Sequence, residues 1–172
     1  MFGLAWGVAD DEPDRALDLL EENIELIRSG SGDATYPSSL LEAAVFYLRR
    51  GERSRALPHL FESLVFSLHH GQPLQVLGDL HWEVEILGRI GEYELAAVAY
   101  GIVRLGPLEA ATTYFARYFS SPDWLAVIER TKDALGDRFD SLAERGAAMS
   151  YDDVVAWLRE VLDRLESEAS DE

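Results

Sequence analysis

The chain has 172 residues, of which 48% are hydrophobic and 27% are charged, as in folded globular proteins and unlike disordered ones. Acidic residues outnumber lysine and arginine by 32 to 15, and the resulting net charge of −17 argues against nucleic-acid binding, which depends on basic side chains. There is no cysteine, which excludes disulfides and thiolate chemistry. The sequence shows neither a signal peptide nor a run of about 20 apolar residues that could span a membrane. We therefore expect a cytoplasmic protein without membrane contact.

The first half of the chain repeats itself at an interval of forty residues. Two sets of residues are in register across the copies: Glu12, Glu52 and Glu92, and Ala16, Ala56 and Ala96. A fixed period of this length is typical of stacked helix pairs, which bind partners more often than they catalyse reactions. Gly51 and Gly91 stand where each pair turns, and a residue without Cβ is favoured at such helix ends.

Helical periodicity dominates from the N-terminus onward, and β alternation is absent. Apolar residues of the second copy recur at helical spacing from Leu57 to Leu68, which predicts an amphipathic helix with one apolar stripe. The repeats predict a truncated first helix that ends near Val8, followed by helices at about 13–28, 38–50, 52–70, 73–90 and 92–105. The last of these is apolar on almost every side and should be buried.

The C-terminal part predicts a helical cap. Its helices are expected at about 108–119, 122–135, 137–145 and 151–168. Ser121 followed by Pro122 is a good helix start, and Ser150 with Asp153 forms a variant of the capping box. The predicted fold is all-α, a superhelical array of antiparallel helix pairs. Residues 1–105 form the repeats, residues 106–168 form a cap in the same domain, and residues 169–172 form a frayed acidic tail.

The turn sequence Gly91-Glu92-Tyr93-Glu94-Leu95-Ala96 resembles a tetratricopeptide repeat. The period exceeds that family's 34 residues, and Ala44 and Val84 occupy positions where the family favours glycine, so the repeats are divergent. The ending, from Ala134-Leu135-Gly136-Asp137-Arg138-Phe139 through Ala143-Glu144-Arg145-Gly146 to Ala148-Met149-Ser150-Tyr151-Asp152-Asp153, resembles the C-terminal part of actinobacterial LuxR-like or MalT-like signalling ATPases and adenylate-cyclase-linked regulators.

That resemblance covers roughly residues 49–165 and implies a sensory or protein-interaction module attached to an effector domain. The chain lacks the phosphate loop, the cyclase-like domain and the helix-turn-helix of such proteins. Trp6 aligns with Phe46 and Ile86 in the forty-residue register, so the sequence opens within a first helix. We therefore favour an excised C-terminal piece over a small stand-alone relative.

Catalytic and metal-binding constellations are weak. His81 and Glu85 stand four residues apart, but no third ligand accompanies them, and zinc needs three or four. We expect no metal or other cofactor, and we interpret all four histidines (His59, His69, His70 and His81) as helix-end or surface residues. Asp79, Glu83 and Glu85 are interpreted as ordinary acids of a helix, because acid–base catalysis needs carboxylates desolvated in a cleft. The chain is not expected to be an enzyme.

Aromatic and arginine side chains are the candidate contacts for a partner. The residues selected for partner binding are Tyr47, Arg50, Trp82, Tyr114 and Tyr118, and those selected for self-association, which would give a homodimer, are Trp6 and Phe115. The arginines of residues 49–55 are interpreted as inter-repeat salt bridges, with docking of an acidic surface as the alternative. The aromatic segment 114–119 is interpreted as a packed lid, with a partner or ligand contact as the alternative.

The predicted function is a non-catalytic protein-interaction or sensory module of a cytoplasmic signalling or transcription-regulating protein. Its partner would be a protein, a peptide or the upstream effector domains. A small-ligand sensor and a self-assembling scaffold are the alternatives. A closed apolar pocket with convergent polar groups would favour the sensor, and a large symmetric apolar interface would favour the scaffold.

Overall fold

The computed structural model describes residues 11–31, 36–70, 72–105 and 121–170. Over these residues the protein is helical and contains no strand, which confirms the all-α class. The helices are α1 (Pro13–Leu26), α2 (Tyr36–Arg49), α3 (Arg53–His70), α4 (Pro73–Ile90), α5 (Tyr93–Arg104), α6 (Pro122–Leu135), α7 (Arg138–Ala147) and α8 (Tyr151–Ser170). None of the helices described is both long and apolar enough to cross a membrane.

The forty-residue period of the sequence reappears in the helix starts. Helices α1, α3 and α5 begin at Pro13, Arg53 and Tyr93, at intervals of 40 residues. In each case the glutamate before the helix accepts a backbone bond from the alanine four residues later, with N–O distances of 3.0, 3.2 and 2.9 Å for Ala16, Ala56 and Ala96. The three register alanines are fully buried. The repeat in the sequence therefore corresponds to a repeat of the helix starts in the structure.

The turns between paired helices also repeat. Gly51 and Gly91 adopt left-handed backbone angles, with φ of 76° and 92°, where a side chain would be strained. The next residue in each turn donates its N–H back into the preceding helix: Glu52 to the carbonyl of Tyr47 and Glu92 to that of Leu87, both at 2.9 Å. These bonds satisfy carbonyls that a helix end leaves open. The prediction that both glycines close helix turns is confirmed.

The chain divides into two compact units, Met1–Phe66 and Ser67–Glu172. The division falls inside α3 and differs from the boundary near residue 105 that the sequence suggests between repeats and cap. In unit 1, helices α1 and α2 pack through fully buried aliphatic side chains, which include Leu20, Ile24, Leu40 and Leu41. A short π-helical segment, Ile27–Ser31, extends α1 and is kinked at Gly30, whose φ is 129°.

In unit 2, helices approach each other closely at glycines. A Cβ added to Gly101 of α5 would overlap the backbone carbonyl of Ala143 in α7, and one added to Gly146 would overlap that of Val98. The backbones of α5 and α7 are therefore in direct contact. Gly88 of α4 lies against the side chains of Val127 and Thr131 in α6, so a Cβ there would overlap a side chain and not the backbone.

The predicted start signals of the C-terminal helices are confirmed. The hydroxyl of Ser121 accepts the backbone N–H of Trp124 at 3.2 Å at the start of α6. At α8, Ser150 and Asp153 make the two reciprocal bonds of a capping box, with N–O distances of 3.0 and 3.3 Å. The helix predicted over residues 108–119 and the first helix ending near Val8 lie outside the described residues.

Candidate functional site

The predicted partner-binding residues fall in different environments. Tyr47 and Trp82 are only 1% and 4% exposed, so both rings are packed in the core of their own unit. Arg50 is more accessible and forms an ion pair with Asp14, which joins the α2–α3 turn to α1 as an inter-repeat salt bridge. Tyr114, Tyr118, Trp6 and Phe115 lie outside the described residues. Partner binding by these positions stays a prediction, and burial gives Tyr47 and Trp82 a packing role.

Tyr47 is the centre of a polar cluster in unit 1, which we call the Tyr47 cluster: Glu21, Tyr47, Arg55 and His59. The Tyr47 hydroxyl donates to a carboxylate oxygen of Glu21 at 2.5 Å and accepts from Arg55 at 2.7 Å. The His59 ring stacks almost parallel to the Tyr47 ring, with centroids 5.6 Å apart. The guanidinium carbon of Arg55 lies 4.2 Å from the centre of the Tyr47 ring. The cluster ties α1, α2 and α3 together.

Burial, with Glu21 beside the hydroxyl, raises the pKa of Tyr47 to about 12. The hydroxyl therefore keeps its proton throughout the physiological range and remains a donor to Glu21. His59 Nε2 lies 3.2 Å from the same Glu21 oxygen. Glu21 thus receives two bonds from two different helices.

A second polar group, Arg28, Tyr36 and Glu62, makes a similar junction in unit 1. Arg28 donates to a Glu62 oxygen at 2.5 Å and to the Tyr36 hydroxyl at 3.0 Å, and that hydroxyl donates to Glu62. The pKa of Glu62 is lowered, because its bonds from Arg28 and Tyr36 outweigh the opposing effect of burial. Both polar groups join the same three segments of chain, so they are best understood as structural connections.

Helix α4 carries an unusual row of buried polar side chains. Asp79, His81, Glu83 and Glu85 are each 3% exposed or less. The interpretation of His59 and His81 as helix-end or surface residues is therefore wrong, because α4 is covered on all sides and His59 is enclosed in the Tyr47 cluster. His69 and His70, by contrast, are exposed in the last turn of α3, as predicted.

The four buried polar side chains of α4 are accommodated in different ways. Glu85 bonds to Arg89 at 2.8 Å, and Asp79 receives the amide of Gln75 at 3.0 Å. Burial raises the pKa of Glu83 to about 8, and the charge of Asp79 adds to this effect, so Glu83 is mostly protonated at neutral pH. Burial also lowers the pKa of His81 to about 4, so this ring is neutral and bonds through Nδ1 to the Gly78 carbonyl.

Unit 2 presents a groove over α5, α7 and α8, which we call the α7–α8 groove. Its first part has a volume of about 230 Å³, with an apolar floor. The floor residues are Leu95, Val98, Leu142 and Val161. The second part, of about 460 Å³, continues past Ala148, Met149 and Ala156. Arg145, Trp157 and Glu160 line both parts, and neither part includes the polar row of α4.

Two donors of the α7–α8 groove have no acceptor in the described part of the chain. Arg145 is exposed and makes no ion pair there, whereas Arg138 is bound to Glu94, and Arg164 to Glu92 and Glu168. The indole N–H of Trp157 is buried and has no hydrogen-bond partner there. Neither residue is among the contacts predicted from the sequence. A tryptophan on the apolar stripe of an otherwise acidic helix was the available signal.

The described residues contain no group of three or more histidine and acidic side chains arranged to hold a metal ion. Asp79 and Glu83, four residues apart, share one face of α4, whereas Glu85 lies on the opposite face, so the three acids do not converge on a point. Comparison with family models, with curated proteins and with solved structures finds no match to this chain.

Proposed function

We propose that this chain is a non-catalytic interaction module built from repeated helix pairs. The observation that carries the proposal is the structural repeat at 40 residues, with the same helix start at Pro13, Arg53 and Tyr93. Stacked repeats of this kind expose an extended surface, and such surfaces commonly bind other proteins or peptides. In the tetratricopeptide-like arrangement that we propose, a bound segment of a partner would bias an attached effector domain.

The α7–α8 groove is the place where we expect contact with a protein or peptide. Its apolar floor favours a hydrophobic side chain of the partner. Arg145 and Glu160, one of each charge and both exposed, favour a segment with charges on either side of that residue. Residues 138–147 and 151–165 belong to the part of the sequence that resembles actinobacterial signalling regulators, so the host that we propose is a cytoplasmic regulator of transcription or signalling.

Photo-crosslinking tests this proposal. A benzophenone amino acid would replace Arg145 in one variant and Arg130, an exposed residue of α6, in a matched control. We expect the variant at position 145 to give a protein adduct in cells that the control does not give. The partner, once purified, should bind the wild-type chain in calorimetry and bind Arg145→Glu at least about tenfold more weakly. The same adducts at both positions, or none at either, would contradict binding at this groove.

Self-assembly is the competing function. The residues predicted to drive it, Trp6 and Phe115, are outside the described part of the chain. Light scattering over a concentration series distinguishes the two functions, because a module for other partners stays monomeric and a scaffold grows in mass. Growth that Trp6→Glu or Phe115→Glu abolishes would favour the scaffold.

A further inference from the structure

His59 occupies a position that a charged imidazole would destabilise. The residue is 9% exposed, and its ring lies against the Tyr47 ring. Its Nε2 is 3.2 Å from the Glu21 carboxylate, and its Nδ1 is buried without a hydrogen-bond partner among the described residues. The neutral ring satisfies Glu21 by donating from Nε2. A second proton would have to sit on Nδ1, where no acceptor compensates for the lost water.

The charged groups around His59 come from all the segments packed against it in unit 1. Glu21 lies on α1 and favours the protonated ring, while Arg28, just after α1, opposes it. Glu62 lies on α3 itself and is occupied by Arg28 and Tyr36. Tyr47 on α2 stays neutral, and Arg55 is bonded to its hydroxyl. Burial outweighs the attraction of Glu21, so the pKa of His59 is lower than in an exposed histidine.

We propose that the Tyr47 cluster is an acid-sensitive latch that holds α1 against α2 and α3 and loosens when His59 takes up a proton. Glu21 is the acceptor on α1 for both Tyr47 and His59, so α1 depends directly on the state of this ring. The helix covers its partners with Ala16, Leu17, Leu20 and Ile24, all of them buried. Loosening of α1 would uncover this apolar stripe and the surface of α2 beneath it. This regulation goes beyond the proposed function and does not depend on it.

The sign of the effect follows from proton linkage. The pKa of His59 is lower with α1 closed than with α1 open, so opening takes up protons. Closure is therefore strongest above the ordinary histidine pKa of about 6.5 and weakens as the pH falls below it. Opening coupled to one proton changes by at most about tenfold per pH unit. His81 and Glu83, whose pKa values are also shifted, lie in unit 2, so they affect openings that expose α4 and not the opening of α1 alone.

Amide hydrogen exchange at pH 7.5 and pH 5.0 tests the latch. Protection factors, which are referenced to the exchange rate of an unfolded chain at each pH, would be measured at Leu20 and Ile24 of α1 and at Val127 and Ile128 of α6. We expect protection in α1 to fall at least threefold more than in α6 when the pH is lowered. His59→Gln keeps a donor for Glu21 but cannot titrate, so this variant should lose the excess fall. His69→Gln, at an exposed histidine of the same helix, should retain it.

An equal fall in α1 and α6, or the same excess in His59→Gln as in wild type, would overturn the proposal. If His59→Gln does not fold, measurements on the wild-type protein still test the proposal. The titration of the His59 imidazole by NMR should give a pKa below the ordinary histidine value of about 6.5, together with a loss of α1 protection over the same pH range. A His59 pKa at or above that value would overturn the latch.

Discussion

The two units of this molecule join their helices by different means. In unit 1 the joints are polar: Tyr47, His59 and Arg55 converge on or near Glu21, and Arg28 with Tyr36 converges on Glu62. In unit 2 the helices approach each other most closely at glycines, which have no side chain to keep them apart: Gly101, Gly146 and Gly88. The stability of a polar joint depends on the protonation of its side chains and on the pairing of their hydrogen-bond donors. The stability of a glycine joint depends on the volume of the residue at that position. One repeated sequence pattern thus supports two kinds of packing with different sensitivities.

The largest expected effect is at the glycine joint. Gly101→Ala would place a methyl group into the backbone of Ala143, which cannot move without shifting α7. We expect the free energy of unfolding to fall by about 3 kcal/mol or more, at the upper end for overpacking. Urea denaturation measures this. Ser141→Ala, at an exposed position of α7, is the control and should change stability little; a Gly101→Ala protein as stable as the control would remove the distinction between the units.

The next effect concerns Glu83 in unit 2, whose pKa is raised to about 8 by burial and by Asp79. A raised pKa in the folded state means that its stabilising contribution is complete below about pH 4.5 and is lost as the pH rises through 8. Glu83→Gln cannot ionise. Its stability relative to wild type should therefore improve by about 1.4 kcal/mol per pH unit between pH 5 and 8.

Urea midpoints of wild type and Glu83→Gln at four pH values in that range measure the difference. Asp79→Asn tests the stated cause, because removing this charge should lower the pKa of Glu83, so that the loss of stability is smaller and ends at a lower pH than in wild type. A difference between Glu83→Gln and wild type that does not change with pH would show that Glu83 is not protonated in the fold.

A smaller effect is expected at the polar joint. Tyr47→Phe keeps the ring stacked on His59 but removes the hydroxyl that serves Glu21 and Arg55. We expect a loss of about 1–2 kcal/mol, typical of a buried hydrogen bond with a charged partner. Tyr93→Phe, at a half-buried tyrosine of α5 whose hydroxyl bonds to none of the described residues, is the matched control. Equal losses in both variants would mean that the Tyr47 cluster contributes packing alone.

The smallest effect is expected at a helix start. Ser121→Ala removes the side chain that caps the N–H of Trp124 and should cost about 1 kcal/mol. Thermal unfolding with Ser121→Asp as the conservative partner checks it, since aspartate caps equally well. Recovery of stability in Ser121→Asp is the expected result, and no difference between the two variants would contradict the cap.

Local signals were enough to predict most helices. The boundaries of α4 and α6 match the predicted 73–90 and 122–135, because a proline opens each helix and Gly91 or Gly136 follows it. The forty-residue register predicted the boundaries of α3 and α5 to within one residue of those observed. The starts of α6 and α8 could also be predicted from local sequence, because the bonds of their capping serines join residues three apart.

Tertiary features could not be predicted in this way. A polar residue on a helix is normally exposed, so no sequence pattern indicated that His81 and Glu83 would be buried. Their burial results from the packing of other helices around α4. The partners of Tyr47 lie 26 residues before it and 8 residues after it. No local pattern links them. The α7–α8 groove draws its walls from three helices, and its residues were missed for that reason.

Native-state hydrogen exchange on Gly101→Ala and Tyr47→Phe tests the difference between the two units most directly. We expect Gly101→Ala to lower protection at Val98 and Val103 of α5, while amides of α2, such as Leu41, keep theirs. Tyr47→Phe should lower protection at Leu41 and leave α5 unchanged. If each variant instead lowers protection evenly across both units, the helices form one cooperative structure, and the division into polar and glycine joints is wrong.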